Sequence, residues 1–254
     1  MQRVRFVFRW GGEQRLVPGS VCHELATLRA LSIGRAGVPE SEPVAAVPRA
    51  AVDAVLPLLP TPLRAAVELQ WWTGARAGEI LQLRMADIER GDPNWIFRPQ
   101  EHKGRWRGKD RVVVLGPRAV EIIRPLLKAD PRAFLISPRD AMAERWADRH
   151  AARQSKVPPS QLARAERNAR KEPSIGDRYD VAAYRRAIAR ACAVAGVEHW
   201  SPHQLRHSAG TRLVVQAGVE ATRAALGHCD DRMTRRYARA AEAQLAAEAM
   251  AKHG

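Results

Sequence analysis

The residues with the most chemistry to offer fall in a few short stretches. They are "TGARAGEI" with Arg76 and Glu79, "EHKGRWRGKD" with Lys103 and Lys109, "SPHQLRHSAGTR" with His203, Arg206 and His207, "LGH" ending in His228, and "DDRMTRRY" ending in Tyr237. Tyr237 is one of three tyrosines and follows three arginines. A phenol in such company is either a packing residue with a wet hydroxyl or a nucleophile whose phenolate the cations stabilise. His203 and Arg206 are three apart, so on a helix they share a face, and near its N-terminus that face favours an anion. His203 and His207 have the i, i+4 spacing of a zinc pair, but the general-base Glu of H-E-x-x-H is missing and no third ligand is evident. Glu79 lies one turn after Arg76 and can orient its guanidinium for bidentate contact. Lys103 sits beside a hairpin turn, with Lys109 as a rival in the same hairpin.

Composition points to the partner. The 254 residues carry 42 Lys and Arg against 27 Asp and Glu, a net charge of +15. So large an excess opposes compaction and fits a polyanion, nucleic acid first and an anionic membrane surface second. Cys22, Cys192 and Cys229 are scattered, with no C-x-x-C pair, which argues against a disulfide framework or cysteine zinc site and suits a reducing cytoplasm. The opening "MQRVRFVFRW" has no long apolar run of a signal peptide. The most apolar stretch, 51–72, is interrupted by Asp53, Arg64 and prolines and does not read as a membrane span.

The elements that must position these residues read as mainly α with a small antiparallel β-sheet. Residues 1–33 suggest short basic helices with Ser20 as a cap, and 34–48, rich in Pro and Gly, a linker. Helical patterns follow in "RAAVDAVLPLLP", "TPLRAAVELQWWTG" and "ARAGEILQLRMADIE". "NWIFRP" and "RVVVLGP" read as strands flanking the Lys103 segment, and "PRAVEIIRPLLK" returns to helix. Residues 139–178 are charged and suggest an exposed helix or mobile insertion. "DVAAYRRAIARACAVAGV" is an amphipathic helix ending near Gly196, with Tyr184 half-buried in it. Ser201, Pro202 and Gly218 are the cap, first residue and stop of the helix bearing His203 and Arg206. A second short helix, "EATRAAL", delivers His228, and the pair also resembles a helix-turn-helix.

Arg76, Lys103, "HQLRH", "LGH" and Tyr237, in that order, resemble the tyrosine recombinase (phage integrase) family. The wording of "SPHQLRHSAGTR" and of the "HK" hairpin is most similar to integrases of planctomycete-type bacteria. The resemblance implies the catalytic-domain fold of that family over 46–254, with 1–45 the last part of a helical core-binding domain that clamps DNA. It implies strand cutting and rejoining at a specific site through a 3′-phosphotyrosyl intermediate, as in DNA integration by a mobile element. Tyr237 would be the nucleophile, His203 its base, Arg76 and Arg206 the phosphate clamp, His228 a further donor and Lys103 the general acid. Glu79 and His207 would support them. The phosphotyrosyl bond conserves the energy of the broken phosphodiester, so neither cofactor nor metal is implied. The implied partner is double-stranded DNA, bound by a homotetramer assembled on it in the cytoplasm, at the nucleoid. The rival readings are a type IB topoisomerase and a catalytically silent integrase remnant that only binds DNA.

Overall fold

The computed structural model describes residues 2–29, 44–108, 110–156, 158–160, 164, 175–228 and 231–253. The chain divides into two compact units, Met1–Val44 and Ala45–Gly254. In the first, α1 (Gln2–Glu13) packs on α2 (Gly19–Thr27). The Cys22 thiol donates to the Phe8 carbonyl at 3.2 Å, against the bare backbone of Gly12. Pro18, not Ser20, is the residue before α2, and no side chain caps that helix. The linker expected at 34–48 falls mostly outside the described residues.

The second unit is built around α4 (Thr61–Thr73), which is apolar on nearly every side and therefore central. Its Leu63, Ala66, Val67 and Leu69 meet a core that includes Ile80, Phe97, Leu115, Ile123, Leu135, Ile188, Trp200 and Leu205. Around it stand α3 (Arg49–Val55), α6 (Pro117–Ile123), α7 (Pro138–Ala151) and α8 (Val181–Ala195). Pro62 stands in the first turn of α4, and Gly74, at φ +64°, ends the helix in the left-handed conformation that glycine adopts without strain. Asp180 caps α8 by accepting from the Ala183 amide, and Tyr184 within it is fully buried rather than half-buried.

The expected helix over "ARAGEILQLRMADIE" shrinks to a single turn, α5 (Ala77–Ile80). Leu81 and Leu83 are buried in a turn rather than on a helix face, because the backbone bends to meet its neighbours: the Leu83 carbonyl accepts from Leu135 N–H at 2.9 Å. The chain then enters a three-stranded antiparallel sheet, β1 (Ile88–Glu89), β2 (Trp95–Phe97) and β3 (Val113–Leu115), in that order. Trp95 faces Leu115 and Phe97 faces Val113, all four turned to the core, while Val114 points to solvent, the alternation of a one-sided sheet.

Helix α9 (Pro202–Leu226) begins with the anticipated Ser201 and Pro202, and Gln204 returns a side-chain bond to the Ser201 amide at 2.8 Å. It is broken at Gly218 (φ 79°, ψ 175°), as the glycine predicts. A straight helix would hold positions 206 and 226 about 30 Å apart, yet an Arg206 nitrogen lies 2.8 Å from the Leu226 carbonyl. The break therefore folds the second limb back. Helix α10 (Asp231–His253) then packs against α9, which itself packs on α4. No described helix is long and apolar enough to cross a membrane.

Candidate active site

The site starts at the end of α4. Arg76 is the residue before α5, and Glu79 accepts its backbone N–H at 3.0 Å and its Nη1 at 2.8 Å. Glu79 is 2% exposed, and Arg111, itself buried, donates to its Oε2 through Nε and Nη2, both at 3.3 Å. Burial opposes ionisation of Glu79, but Arg111 and Arg76 outweigh it and hold the carboxyl below its usual pKa. Arg111 also packs on Gly227, where a Cβ would stand 2.4 Å from its Nη1. It thus joins the Glu79 carboxylate to the corner that presents His228.

Arg206 reaches the same place from α9. It is 2% exposed, and donates from Nη1 to Gly74 O at 2.7 Å and from Nη2 to Leu226 O at 2.8 Å. Burial, and then the neighbouring Arg76, push its pKa down to about 10, so it remains a cation at neutral pH. An ionised Tyr237 would push that pKa back up, which puts the phenol within electrostatic reach of the guanidinium. His207 is buried, and its ring stands edge-on to both His203, at 4.9 Å, and Tyr237, at 5.3 Å. His203 is the exposed member of the pair; burial of part of its ring and the cations Arg206, Arg76, Arg236 and Lys103 lower its pKa.

His228 leaves the C-terminal glycine of α9 and stacks on Tyr237 at 5.8 Å. Its Nδ1 is 2.8 Å from the Thr234 hydroxyl, and its Nε2 is buried without a partner. Burial and surrounding arginines bring both His207 and His228 down to about 4, so both rings are neutral at physiological pH. Tyr237 is 5% exposed on α10, and its ring lies flat against Gly210: a Cβ there would sit 2.7 to 2.9 Å from Cδ2, Cε2 and Cγ.

Lys103 comes from the β2–β3 connection. It is exposed and lines, with Arg76, Glu79 and Gln82, a cleft of about 540 Å³. Gln82 fixes that connection by donating to Glu101 O at 2.6 Å and accepting Glu101 N–H at 2.8 Å. Lys109, the rival, lies outside the described residues, as does most of 161–174 in the charged segment; before it, α7 is the exposed helix expected there.

Arg76, Glu79, Lys103, His203, Arg206, His207, His228 and Tyr237 therefore converge on one region. Sequence reasoning passed over Arg111, Gln82, Gly210 and Thr234. Of these only Gly210 carries a local signal, a glycine in the middle of a helix, where it costs about 1 kcal/mol relative to alanine and so asks for a reason. Chemically the site offers a phenol, two neutral buried imidazoles, a third imidazole at the surface, and cations arranged around them, a combination suited to attack on a phosphate diester.

Residues 50–244 match the model of the phage integrase family. The integrase of Mycobacterium phage D29 is 28% identical over 183 residues, 71% of this chain and 44% of that protein. The tyrosine recombinase XerC of Bifidobacterium longum is 29% identical over the same length, again 44% of the relative. The chain thus spans under half the length of these curated relatives. Among solved structures, lambda integrase bound as a dimer to a COC′ core site superposes with a TM-score of 0.60, at 16% identity, over 92% of this chain and 69% of that one. XerA recombinase does so with a TM-score of 0.53, at 19% identity, over 85% and 67%. Both likenesses are of fold: mostly helical, with a small antiparallel sheet.

Proposed function

The chain belongs to the phage integrase family, and from that membership we propose that it is a site-specific recombinase that cuts and rejoins DNA through Tyr237. The observation that carries the reading is the setting of Tyr237, wedged between His207 and His228 on the bare face of Gly210, with Arg206 within electrostatic reach. In the proposed step the phenolic oxygen attacks a backbone phosphorus, forming a 3′-phosphotyrosyl bond while the bond from phosphorus to the 5′-oxygen breaks. The phenolic proton passes to His203, whose lowered pKa leaves it neutral and able to accept. Lys103 protonates the departing 5′-oxygen. Arg76 and the N–H groups of Arg206 not given to carbonyls stabilise the charge gathering on the phosphate. If the Thr234 hydroxyl donates to Nδ1 of His228, the proton of that neutral ring stands on the orphaned Nε2, ready for a phosphate oxygen. Reversal by a second DNA end completes strand exchange. Glu79 and His207 act by holding Arg76 and Tyr237 in place.

Further parts of the reading rest on the family. The relatives and structural neighbours include recombinases described on DNA, one of them a tetramer of lambda integrase on a Holliday junction. Double-stranded DNA is the proposed partner here, with a homotetramer assembled on it, in the cytoplasm at the nucleoid. The unit before Ala45 is proposed as the last part of a core-binding clamp, and 46–254 as the catalytic domain. The finer kinship with planctomycete-type integrases rests on the wording of "SPHQLRHSAGTR" and the "HK" hairpin.

A nicked suicide substrate carrying the attachment site tests the chemistry. The protein should form a denaturation-resistant 3′-linked adduct, with or without EDTA, and Tyr237→Phe should abolish it. An undiminished adduct in that variant would remove Tyr237 from its role. An adduct that only religates its own strand would favour a topoisomerase, and DNA binding with no adduct a silent remnant.

A further inference from the structure

Arg111 spends its guanidinium inside the fold. The residue is 7% exposed, and every nitrogen is engaged: Nε and Nη2 donate to Glu79 Oε2 at 3.3 Å, and Nη1 donates to the Val112 carbonyl at 2.8 Å. Arg111 is therefore not a third jaw for the phosphate. Arg76 is the opposite case, with 30% of its side chain exposed and Nη1 on Glu79 Oε1 at 2.8 Å. The two arginines divide one carboxylate between them. An ion pair buried this deep does little for net stability, because desolvation consumes most of the Coulombic attraction. What it supplies is geometry. Held only from within its own turn, by Arg76, the carboxylate could swing about its broad terminal torsion, and the guanidinium it steers would swing with it. Arg111 grips it from outside that turn, two residues before β3, on the limb that returns from Lys103.

We propose that Arg111 is a positioning residue of the phosphate clamp: from the foot of β3 it locks Oε2 of Glu79, and Glu79 so locked aims Arg76 at the phosphate. The inference rests on the recombinase reading above. Burial works against ionisation of Glu79, and the charge of Arg111 offsets it ahead of any one contact from Arg76. The other charged or titratable groups near Glu79 are Arg206 from α9 and, in the cleft it shares, His102, Lys103, Glu101, Arg178, Tyr179 and Asp180. All of these stay the same when Arg111 alone is changed, so such a variant isolates its link to Glu79.

The test compares the full chain with Arg111→Met, Arg111→Lys, Glu79→Gln and the pair of Glu79→Gln with Arg111→Met. On the nicked suicide substrate, single-turnover adduct formation should fall about a hundredfold in Arg111→Met with duplex affinity nearly unchanged, because the lost alignment matters in the transition state. Arg111→Lys, which keeps the charge, should recover part of that loss. In the Glu79→Gln background Arg111→Met should cost nothing further. That pair strands no charge, so it decides the matter even where Arg111→Met alone does not fold. Losses that multiply in the pair, or no recovery with Lys, overturn the proposal. So does a loss that disappears on a 5′-bridging phosphorothiolate, which would make Arg111 a support for Lys103 instead. Denaturation midpoints give a reading that needs no cleavage. In the parent Glu79 titrates below its ordinary value, so its share of stability is lost only as pH falls through that lower value. Without Arg111 the carboxyl takes up its proton at higher pH, and the stability gap between parent and Arg111→Met should narrow as pH falls from about 7 toward about 4.5. Arg111 also helps hold down the pKa of His228, but burial, Arg206 and Arg76 do more, so the narrowing should mostly vanish in the Glu79→Gln background. A gap that stays constant overturns the tie. If the parent forms no adduct while the gap narrows, the cleavage reading fails and the tie stands.

Discussion

Gly210→Ala is the smallest change that should disable Tyr237. The added methyl would begin 2.7 Å from Tyr237 Cδ2, where ordinary contact starts at 3.4 Å, so the ring must retreat by about 0.7 Å or α9 must move away. The ring has little room to retreat, being flanked by His207 at 5.3 Å and His228 at 5.8 Å between centroids. Two effects on stability oppose one another. Alanine in a helix gains about 1 kcal/mol over glycine, while overpacking costs about 1 to 3 kcal/mol. The net change is a loss on the order of 0 to 2 kcal/mol, too small to unfold an ordinary domain. Catalysis is less tolerant, because a misplacement near 1 Å costs about a hundredfold in rate. Single-turnover adduct formation on the suicide substrate should therefore fall by tens to a hundredfold, with the denaturation midpoint nearly unchanged. Gly210→Ala cleaving at the parent rate, in a protein of parent stability, would refute the claim that this contact sets the nucleophile.

Lys103→Ala should slow cleavage of ordinary DNA far more than of DNA with a 5′-bridging phosphorothiolate, whose thiolate leaves without protonation; equal losses would move the acid role, with Lys109 next in line. Acid should destabilise the fold. His207 and His228 titrate near 4 when folded against 6.5 ordinarily, so the unfolded chain takes up protons first, and stability present above pH 6.5 is lost as pH falls toward 4. The loss should be about 2 kcal/mol per histidine between pH 7 and 4.5, read as denaturation midpoints at those two values, and a flat profile would contradict the burial of those rings. Deleting 240–254, which removes the last turns of α10, should weaken higher-order complexes on paired DNA sites more than single-site binding, with the free protein monomeric and binding steeply salt-dependent. Gel shifts and light scattering would show it, and a stable DNA-free oligomer would count against it.

Much of the site was legible because its residues carry local grammar. Ser201 and Pro202 start α9, Gly218 breaks it, and Gly227 ends it at His228, so the order of the boxes could be read from the chain. What escaped depends on partners distant in sequence. Arg111 looks like one more basic residue of a hairpin until Glu79, 32 positions earlier, is seen to hold it in the core. Gly210 acquires its reason only from Tyr237, on another helix. The apolar run after Arg76 has helical composition, yet only one turn forms, because the Leu83 carbonyl accepts from Leu135 N–H instead of from a following helical turn.

The two carbonyls that Arg206 serves lie at the C-terminal ends of α4 and of α9's second limb. Those ends carry the negative pole of each helix, so the guanidinium is already neutralised in part before any phosphate arrives. The same side chain is thus a fastener for the fold and, in the proposed reaction, a clamp on the phosphate. Removing it would strand two buried carbonyls at about 1 to 3 kcal/mol each, a large share of a typical domain's margin of about 5 to 15 kcal/mol. Loss of the Tyr237 hydroxyl strands nothing comparable. If the proposed roles hold, activity vanishes at Tyr237 with the architecture intact, whereas at Arg206 catalysis and folding fail together.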